Sequence, residues 1–169
     1  MDNADAAGTD TTLRLRHRFE APPERIFEAW TRPETLRRWW CPAGWHPEAI
    51  EVDLRVGGSY RISMWRPADA HSVTVRGRFL QIQPDTKLVY TWRWEGVFEV
   101  MPETRVTVEF RPHEGGTELA LWQEELTMRY CALHLSGWLA AWSRIEGAIS
   151  NPTTQDCPAE TMPMVELVS

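Results

Sequence analysis

Alternating apolar and polar residues run through most of the chain and predict β-strands. The first such stretch covers residues 13–20, and because successive side chains of a strand point to opposite faces, it is typical of a strand with one buried face. About six further stretches alternate in the same way between residues 50 and 122, separated by turn signals such as Gly57-Gly58 and Gly115-Gly116. At Phe79-Leu80 the apolar residues change from one face to the other, which predicts a β-bulge.

Helical spacing interrupts this pattern in two places. After the first strand, Pro22-Pro23 and Pro33-Glu34 each begin a short segment whose apolar residues recur at three- and four-residue intervals, which predicts two short helices. A longer stripe steps by three and four residues from Cys131 to Ile149 and predicts one long amphipathic helix.

The element order is therefore a strand, two short helices, about six strands and a long helix. Sequential strands with short connections form an antiparallel sheet, and only the C-terminal helix is long enough to cover its apolar face. We predict an α+β fold in which a curved, antiparallel, six- to seven-stranded sheet wraps around that helix and leaves an interior space. The predicted domain spans residues 13–149, between a disordered N-terminal tail (1–12) and a C-terminal tail (150–169).

The composition of the chain argues against several classes of function. A chain of 169 residues fits one domain, and a net charge of −6 disfavours a broad basic surface for nucleic acid or anionic lipid. The chain has no apolar run near the roughly 20 residues of a membrane span and no secretory signal in its first twelve residues. Three cysteines without a CxxC motif are typical of free thiols in a reducing cytosol. We expect a cytoplasmic protein that neither binds nucleic acid nor inserts into membranes.

Ten tryptophans are the most unusual feature of the composition. Any one of them is better explained as a large core residue, but a buried indole N–H needs a hydrogen-bond partner, so several indoles in one dry core are together costly. A cavity that holds water or a ligand relieves this cost. The candidate ligand-binding residues combine these tryptophans with neighbouring residues on the inferred inner faces: Trp39, Met64, Tyr90, Trp92, Trp94, Trp122, His134, Trp138 and Trp142.

Several of these residues have a second interpretation. Met64 adapts to varied ligand shapes but is as common as a core filler, and His134 is also explained as a surface histidine. Gly137 interrupts the long helix, which we attribute to close packing of the helix on the sheet, the alternative being a flexible point at a cavity entrance.

We predict no catalytic residue, metal site or cofactor. Cys41 and His46 have the spacing of two metal ligands, but no second pair follows and a structural zinc site needs four ligands. Glu51 and Glu109 oppose the apolar stripes and are assigned to the solvent face, whereas the face of Glu124 stays open. Neither a nucleophile paired with a base nor a phosphate-binding glycine loop is present at a recognisable spacing.

Several short strings, in their order and spacing, resemble those of one protein family. The chain resembles the START-like (SRPBCC, helix-grip) superfamily and, within it, the activator of Hsp90 ATPase homologue (AHSA1) family, over about residues 13–149. The strings are WTRPETLRRWW at 30–40, EVDLRVGG at 51–58, Gly77 with Pro84, Val106-Thr107-Val108, Gly116-Thr117 and Gly137-Trp138. The resemblance implies a helix-grip fold and a cavity between sheet and long helix that often takes apolar small molecules.

The resemblance also bears on activity and partners. The family has no shared catalytic motif, so no catalytic residue is carried over. Hsp90 stimulation by the eukaryotic co-chaperone depends on an additional N-terminal domain, whereas only twelve residues precede the first predicted strand here. We therefore do not expect an Hsp90-type chaperone as a partner.

The leading hypothesis is binding of a small apolar molecule, aromatic or lipid-like, between the sheet and the C-terminal helix. One alternative is an enzyme acting on a bound hydrophobic substrate, cyclase- or hydrolase-like, by analogy of fold. Another is a co-chaperone-like, stress-response interaction protein. A homodimer stays open, as does the identity of the ligand.

Overall fold

A seven-stranded antiparallel sheet wraps around one long helix in the computed structural model, which describes residues 10–150. The elements in chain order are β1 (Asp10–Phe19), α1 (Pro23–Thr31), α2 (Pro33–Trp39), β2 (His46–Val52), β3 (Ser59–Arg66), β4 (His71–Gln83), β5 (Lys87–Glu95), a 3-10 helix (Gly96–Phe98), β6 (Thr104–His113), β7 (Gly116–Thr127) and α3 (Met128–Ser150). The strands lie in the order β1-β7-β6-β5-β4-β3-β2. This architecture confirms the predicted α+β fold with two short helices after the first strand.

Several element boundaries differ from the predictions, and those of β1 and β2 show why. β1 begins at Asp10 rather than at Leu13, and β2 ends at Val52 although the alternation continues to Val56. Leu54 and Val56 are 42% and 62% exposed because the chain already turns there: the Asp53 N–H donates to the Ser59 carbonyl at 2.9 Å. The alternating pattern extends into the turn, so the prediction of a strand as far as Val56 is wrong.

The predicted bulge in β4 is confirmed and helps to curve the sheet. The pairing of β4 with β5 shifts register between Phe79 and Gln81. Phe79 stays paired with Tyr90, and its backbone exchanges hydrogen bonds with Gly57 and Gly58 in the β2–β3 turn at 2.8 and 2.9 Å. A bulge of this kind bends its strand and increases the local twist.

Gly77 allows an unusually close approach of neighbouring chains just before the bulge. A Cβ atom at this position would lie 1.8 Å from the Thr91 carbonyl oxygen and 2.6 Å from the Tyr60 ring. Because glycine has no Cβ atom, the Tyr60 hydroxyl can approach this carbonyl and donates to it at 2.7 Å. The glycine therefore lets a side chain of β3 bind the backbone of β5 across β4.

The helix α3 covers the concave face of the sheet. Its buried residues include Trp138, Trp142 and Ile145, as the helical spacing predicts. Gly137, however, has no atom within 4 Å of an added Cβ, so our explanation by close helix–sheet packing is wrong. No helix within residues 10–150 combines the length and apolar character of a membrane span, and the predicted tails lie almost entirely outside the described residues.

Candidate ligand-binding site

Five aromatic side chains, from β5, from α3 and from the residue that follows α2, meet between the sheet and α3, and we call them the aromatic cluster. Trp92 is central to it: its ring centroid lies 5.2 Å from Trp40, 5.3 Å from Trp138, 5.5 Å from Trp94 and 5.9 Å from His134. These separations lie in the range of favourable ring–ring contacts. The cluster therefore brings together four of the nine predicted site residues and adds Trp40.

Local periodicity explains why these side chains share one face. Trp92 and Trp94 are two residues apart on β5 and so point to the same side of the sheet. His134 and Trp138 are four residues apart on α3, which places them one above the other on the buried side of the helix. Trp40 directly follows α2, where its backbone N–H donates to the Leu36 carbonyl at 3.0 Å.

The indole of Trp138 is held by a buried polar network. Its Nε1–H donates to Gln123 Oε1 at 2.9 Å, and the Gln123 amide nitrogen donates to Thr104 Oγ1 at 2.9 Å. Gln123 is 0% exposed, so these bonds compensate for the loss of water around its amide. The network ties α3 to β7 and β6 and orients the Trp138 ring.

The indoles of Trp92 and Trp94 lack such partners. Their Nε1 atoms are buried, and no hydrogen-bond acceptor reaches them within residues 10–150. A buried donor without a partner costs about 1–3 kcal/mol. The cluster therefore presents two unused hydrogen-bond donors in an otherwise aromatic interior.

His134 adds an uncharged polar group. Its side chain is 6% exposed, and because burial removes water from the imidazole, its pKa falls to about 4. At neutral pH the ring is therefore neutral and keeps one nitrogen as an acceptor and the other as a donor.

A small cavity lies beside the cluster, between the sheet and the two short helices. Its volume is about 20 Å³, about the room that one water molecule needs. The lining is aliphatic and aromatic and includes Trp40, Tyr60, Ile62 and Tyr90. Tyr90 is a predicted site residue, and its hydroxyl accepts a hydrogen bond from Trp30 Nε1 at 3.1 Å. Burial raises the pKa of Tyr90, so the hydroxyl is neutral.

The predicted hollow with indole walls is not open in this structure. Indole rings occupy the space instead: Trp40 stacks on Trp92 at an interplanar angle of 29°, and Trp30 stacks on Trp138 at 16°. Tryptophan is large enough to fill the gap that a curved sheet leaves around a helix, so the same residues that were predicted to line a cavity pack against one another.

Trp122 lies on the opposite face of the sheet from the cluster. Its neighbours Leu121 and Gln123 are fully buried, so alternation directs the Trp122 ring outward, where the Arg111 guanidinium lies 6.0 Å from its centroid. The placement of Trp122 in an interior site is therefore corrected.

The remaining predicted site residues are buried away from the cluster's centre. Trp39 is a core residue whose Nε1–H donates to the Ala29 carbonyl at 2.8 Å. Met64 lies on the buried face of β3. Trp142 packs 5.8 Å from the His17 ring, one helical turn beyond Trp138, and its buried Nε1 has no partner among the described residues.

Sequence reasoning missed Gln123, Thr104 and Trp40 as site residues. Gln123 could have been found, because it continues the parity of the apolar Leu119 and Leu121 and is the polar member of that inward stripe. Trp40 carried only a helical-spacing signal, which does not distinguish core from cavity wall.

Glu124, whose face the sequence left open, lies on the outer face of the sheet, as does Glu109. Glu124 pairs with Arg105 at 3.0 Å, and Glu109 pairs with Arg111. Within residues 10–150 no group of three or more His, Cys, Asp or Glu side chains is placed to hold a metal ion.

The curved sheet, the two short helices and the enclosed C-terminal helix define a helix-grip protein. The chain belongs to the family described as activator of Hsp90 ATPase homolog 1-like protein, whose profile matches residues 20–150. Proteins of this fold family commonly bind hydrophobic ligands. The comparison with curated proteins finds no match.

Solved structures share this fold over nearly their whole length. A protein from Chromobacterium violaceum is 27% identical, with a TM-score of 0.76 over 83% of this chain and 97% of its own. A Rhodobacter sphaeroides protein is 26% identical, with a TM-score of 0.73 over 83% and 93%. The AHSA1-like protein from Aeromonas hydrophila, 21% identical with a TM-score of 0.69 over 83% and 92%, shares the fold.

Proposed function

We propose that this protein binds a small, uncharged aromatic molecule between the sheet and α3, in contact with the aromatic cluster. The observation that carries the proposal is the pair of buried indole N–H groups of Trp92 and Trp94, which have no acceptor within residues 10–150. Two donors on one strand face, surrounded by aromatic rings, match a planar ligand that carries an acceptor oxygen.

The surrounding groups favour a neutral ligand over an ionic one. His134 is neutral at pH 7 because its pKa is lowered to about 4. The four tryptophan side chains of the cluster carry no charge. A charged ligand would lose its hydration without gaining a counter-ion, whereas a carbonyl group would gain a hydrogen bond from an indole N–H that has no acceptor in the described part of the chain.

Binding requires side chains to move, because the cavity beside the cluster holds only about 20 Å³. Pockets of this kind exist as minor conformations and become dominant when a ligand binds them. The hydrogen bonds that a ligand accepts from the two indole N–H groups offset part of the free energy needed to open the site.

A matched pair of bicyclic probes tests the proposal. 1-Indanone carries a carbonyl oxygen on a planar ring system, and indane has the same carbon skeleton without it. We expect 1-indanone to quench tryptophan fluorescence saturably and to bind about tenfold more tightly than indane, as one added hydrogen bond allows.

Variants assign this preference to the site. Trp92→Phe and Trp94→Phe keep an aromatic ring but remove the N–H donors, so the preference for 1-indanone over indane should shrink in both. Trp122→Phe, on the outer face, is the control and should retain it. Absence of saturable binding of either probe to the wild-type protein, in fluorescence and in calorimetry, would refute the proposed function.

A further inference from the structure

We infer that the Trp40 side chain occupies the ligand's own place, so that a bicyclic aromatic ligand binds by displacing this indole. The inference rests on the proposed function and specifies where in the interior the ligand lies. The ligand is accordingly about the size of an indole, and Trp40 is the side chain that must leave.

Trp40 separates the small cavity from the centre of the aromatic cluster. On one side its ring stacks on Trp92, with centroids 5.2 Å apart, and meets Trp138 edge-on at 5.9 Å. The same residue also lines the small cavity, together with Tyr60 and Tyr90. Removal of this one ring therefore joins the cavity to a space bounded by Trp92 and Trp138.

Hydrogen bonding distinguishes Trp40 from the neighbouring indoles of Trp30, Trp39 and Trp138. The N–H groups of Trp30, Trp39 and Trp138 donate to Tyr90, Ala29 and Gln123, at 3.1, 2.8 and 2.9 Å. Trp40, which is 7% exposed, makes no such bond to a residue in 10–150. Its ring is therefore held by packing alone, and its departure breaks no hydrogen bond within the described chain.

Trp40 lies at the end of a helix rather than inside one. It directly follows α2, and Pro42, which lacks the N–H that would continue the helix, lies two residues later. Gly44 adopts φ +80° in the loop before β2, a conformation that glycine reaches without strain. Trp39, by contrast, lies within α2 and is fully buried.

The vacated space has the chemistry of a ligand site. It faces the ring of Trp92 for stacking, and the indole N–H groups of Trp92 and of its neighbour Trp94 have no acceptor within residues 10–150. Tyr90 lines the small cavity that this space would join, and its hydroxyl accepts from Trp30 and donates to no residue within 10–150. A planar bicyclic molecule with an acceptor oxygen would keep the stacking that Trp40 provides and add a hydrogen bond that Trp40 lacks.

Fluorine NMR of the protein labelled with 5-fluorotryptophan tests the displacement directly. The Trp40 resonance is assigned by its loss in Trp40→Phe. We expect saturating 1-indanone to move this resonance to the position of a solvent-exposed indole, while the Trp39 resonance, assigned in the same way from Trp39→Phe, keeps its buried position.

A second measurement compares affinities. Trp40→Ala removes the competing ring and should bind 1-indanone about tenfold more tightly than the wild-type protein, because the free energy of displacement is no longer required. Trp39→Ala, which opens space in the core next to it, is the matched control and should not gain affinity.

The outcomes separate this inference from the proposed function. If the wild-type protein binds 1-indanone but its Trp40 resonance stays in place, the displacement is wrong and the proposed function stands. If Trp40→Ala binds no more tightly than the wild-type protein, the displacement is equally contradicted. If neither protein binds, both proposals fail. Should Trp40→Ala not fold, the fluorine spectrum of the wild-type protein decides the question by itself.

Discussion

Indole N–H groups in the same cluster differ in their hydrogen bonding, and this difference has an energetic consequence. The Trp138 N–H is bonded to Gln123, whereas the Trp92 N–H has no partner within residues 10–150. Replacement of Trp138 leaves a buried carbonyl oxygen unsatisfied, whereas replacement of Trp92 removes a donor that is already unsatisfied. The two positions should therefore respond differently to the same substitution.

We expect Trp138→Phe to lower the free energy of unfolding by about 1–3 kcal/mol more than Trp92→Phe does. Both substitutions remove a similar volume from the interior, so the cost of the lost packing largely cancels in the comparison. Urea unfolding followed by circular dichroism measures the difference. Equal losses would show that the bond to Gln123 contributes no net stability.

His134 predicts a pH dependence of stability. In the unfolded chain this imidazole takes a proton near pH 6.5, but in the folded protein burial lowers its pKa to about 4. The unfolded state therefore binds more protons in this range, and the contribution of His134 to stability, complete above pH 6.5, is lost as the pH falls toward 4.

The expected slope is up to about 1.4 kcal/mol per pH unit from this one group. His134→Phe keeps an aromatic ring of similar breadth and removes the titration, so the free energy of unfolding of the wild type minus that of the variant should fall as the pH falls from 6.5 to 4. A difference that does not vary with pH would contradict the assignment of a buried, neutral imidazole.

Two glycines show, on the scale of single elements, how strongly the neighbourhood decides the effect of one methyl group. Gly137 lies in α3 with open space around its missing Cβ, whereas Gly77 lies in β4 directly against the Thr91 carbonyl. Helix propensity dominates at the first position and steric exclusion at the second.

Gly137→Ala should raise the free energy of unfolding by up to about 1 kcal/mol, because alanine restricts the unfolded chain and favours the helix. Gly77→Ala should lower it by more than about 2 kcal/mol, because its Cβ would lie 1.8 Å from a backbone oxygen. Thermal and urea unfolding of both variants measure these changes. A loss of stability in Gly137→Ala would show that α3 needs its glycine for another reason.

The pairing of the first strand with the last determines how the whole molecule must fold. β1 pairs with β7 from Asp10↔Thr127 to Phe19↔Thr117, so the sheet cannot be completed until more than a hundred residues have been brought together. Such distant contacts require loop closure before they stabilise the fold.

We therefore expect refolding in milliseconds to seconds, apart from slower phases limited by proline isomerisation. Stopped-flow tryptophan fluorescence after dilution from urea measures this rate. Complete refolding in microseconds, as in small helical bundles, would contradict a rate limited by the assembly of the sheet.

The sequence by itself determined the elements and their order. Alternation and helical spacing are local patterns that arise from side-chain direction in strands and helices, so the inner stripe of β5, the long stripe of α3 and the bulge near Phe79 were all predictable. The excess of tryptophan also pointed to the interior as the place of interest. At Leu54 and Val56 the alternation continues beyond the end of β2, so the prediction of a strand there failed.

Only the tertiary structure decided which indoles meet and whether they leave a cavity. Trp40 and Trp92 lie on separate elements far apart in the chain, and their stacking follows from how α2 packs over the sheet. The outward direction of Trp122 and the bonds of Gln123 likewise depend on the curvature and pairing of strands. The pattern of residues along the chain specifies the face of an element to which a side chain points. The volume between two faces is set by the distance at which the elements pack, and this volume decides what can fill it.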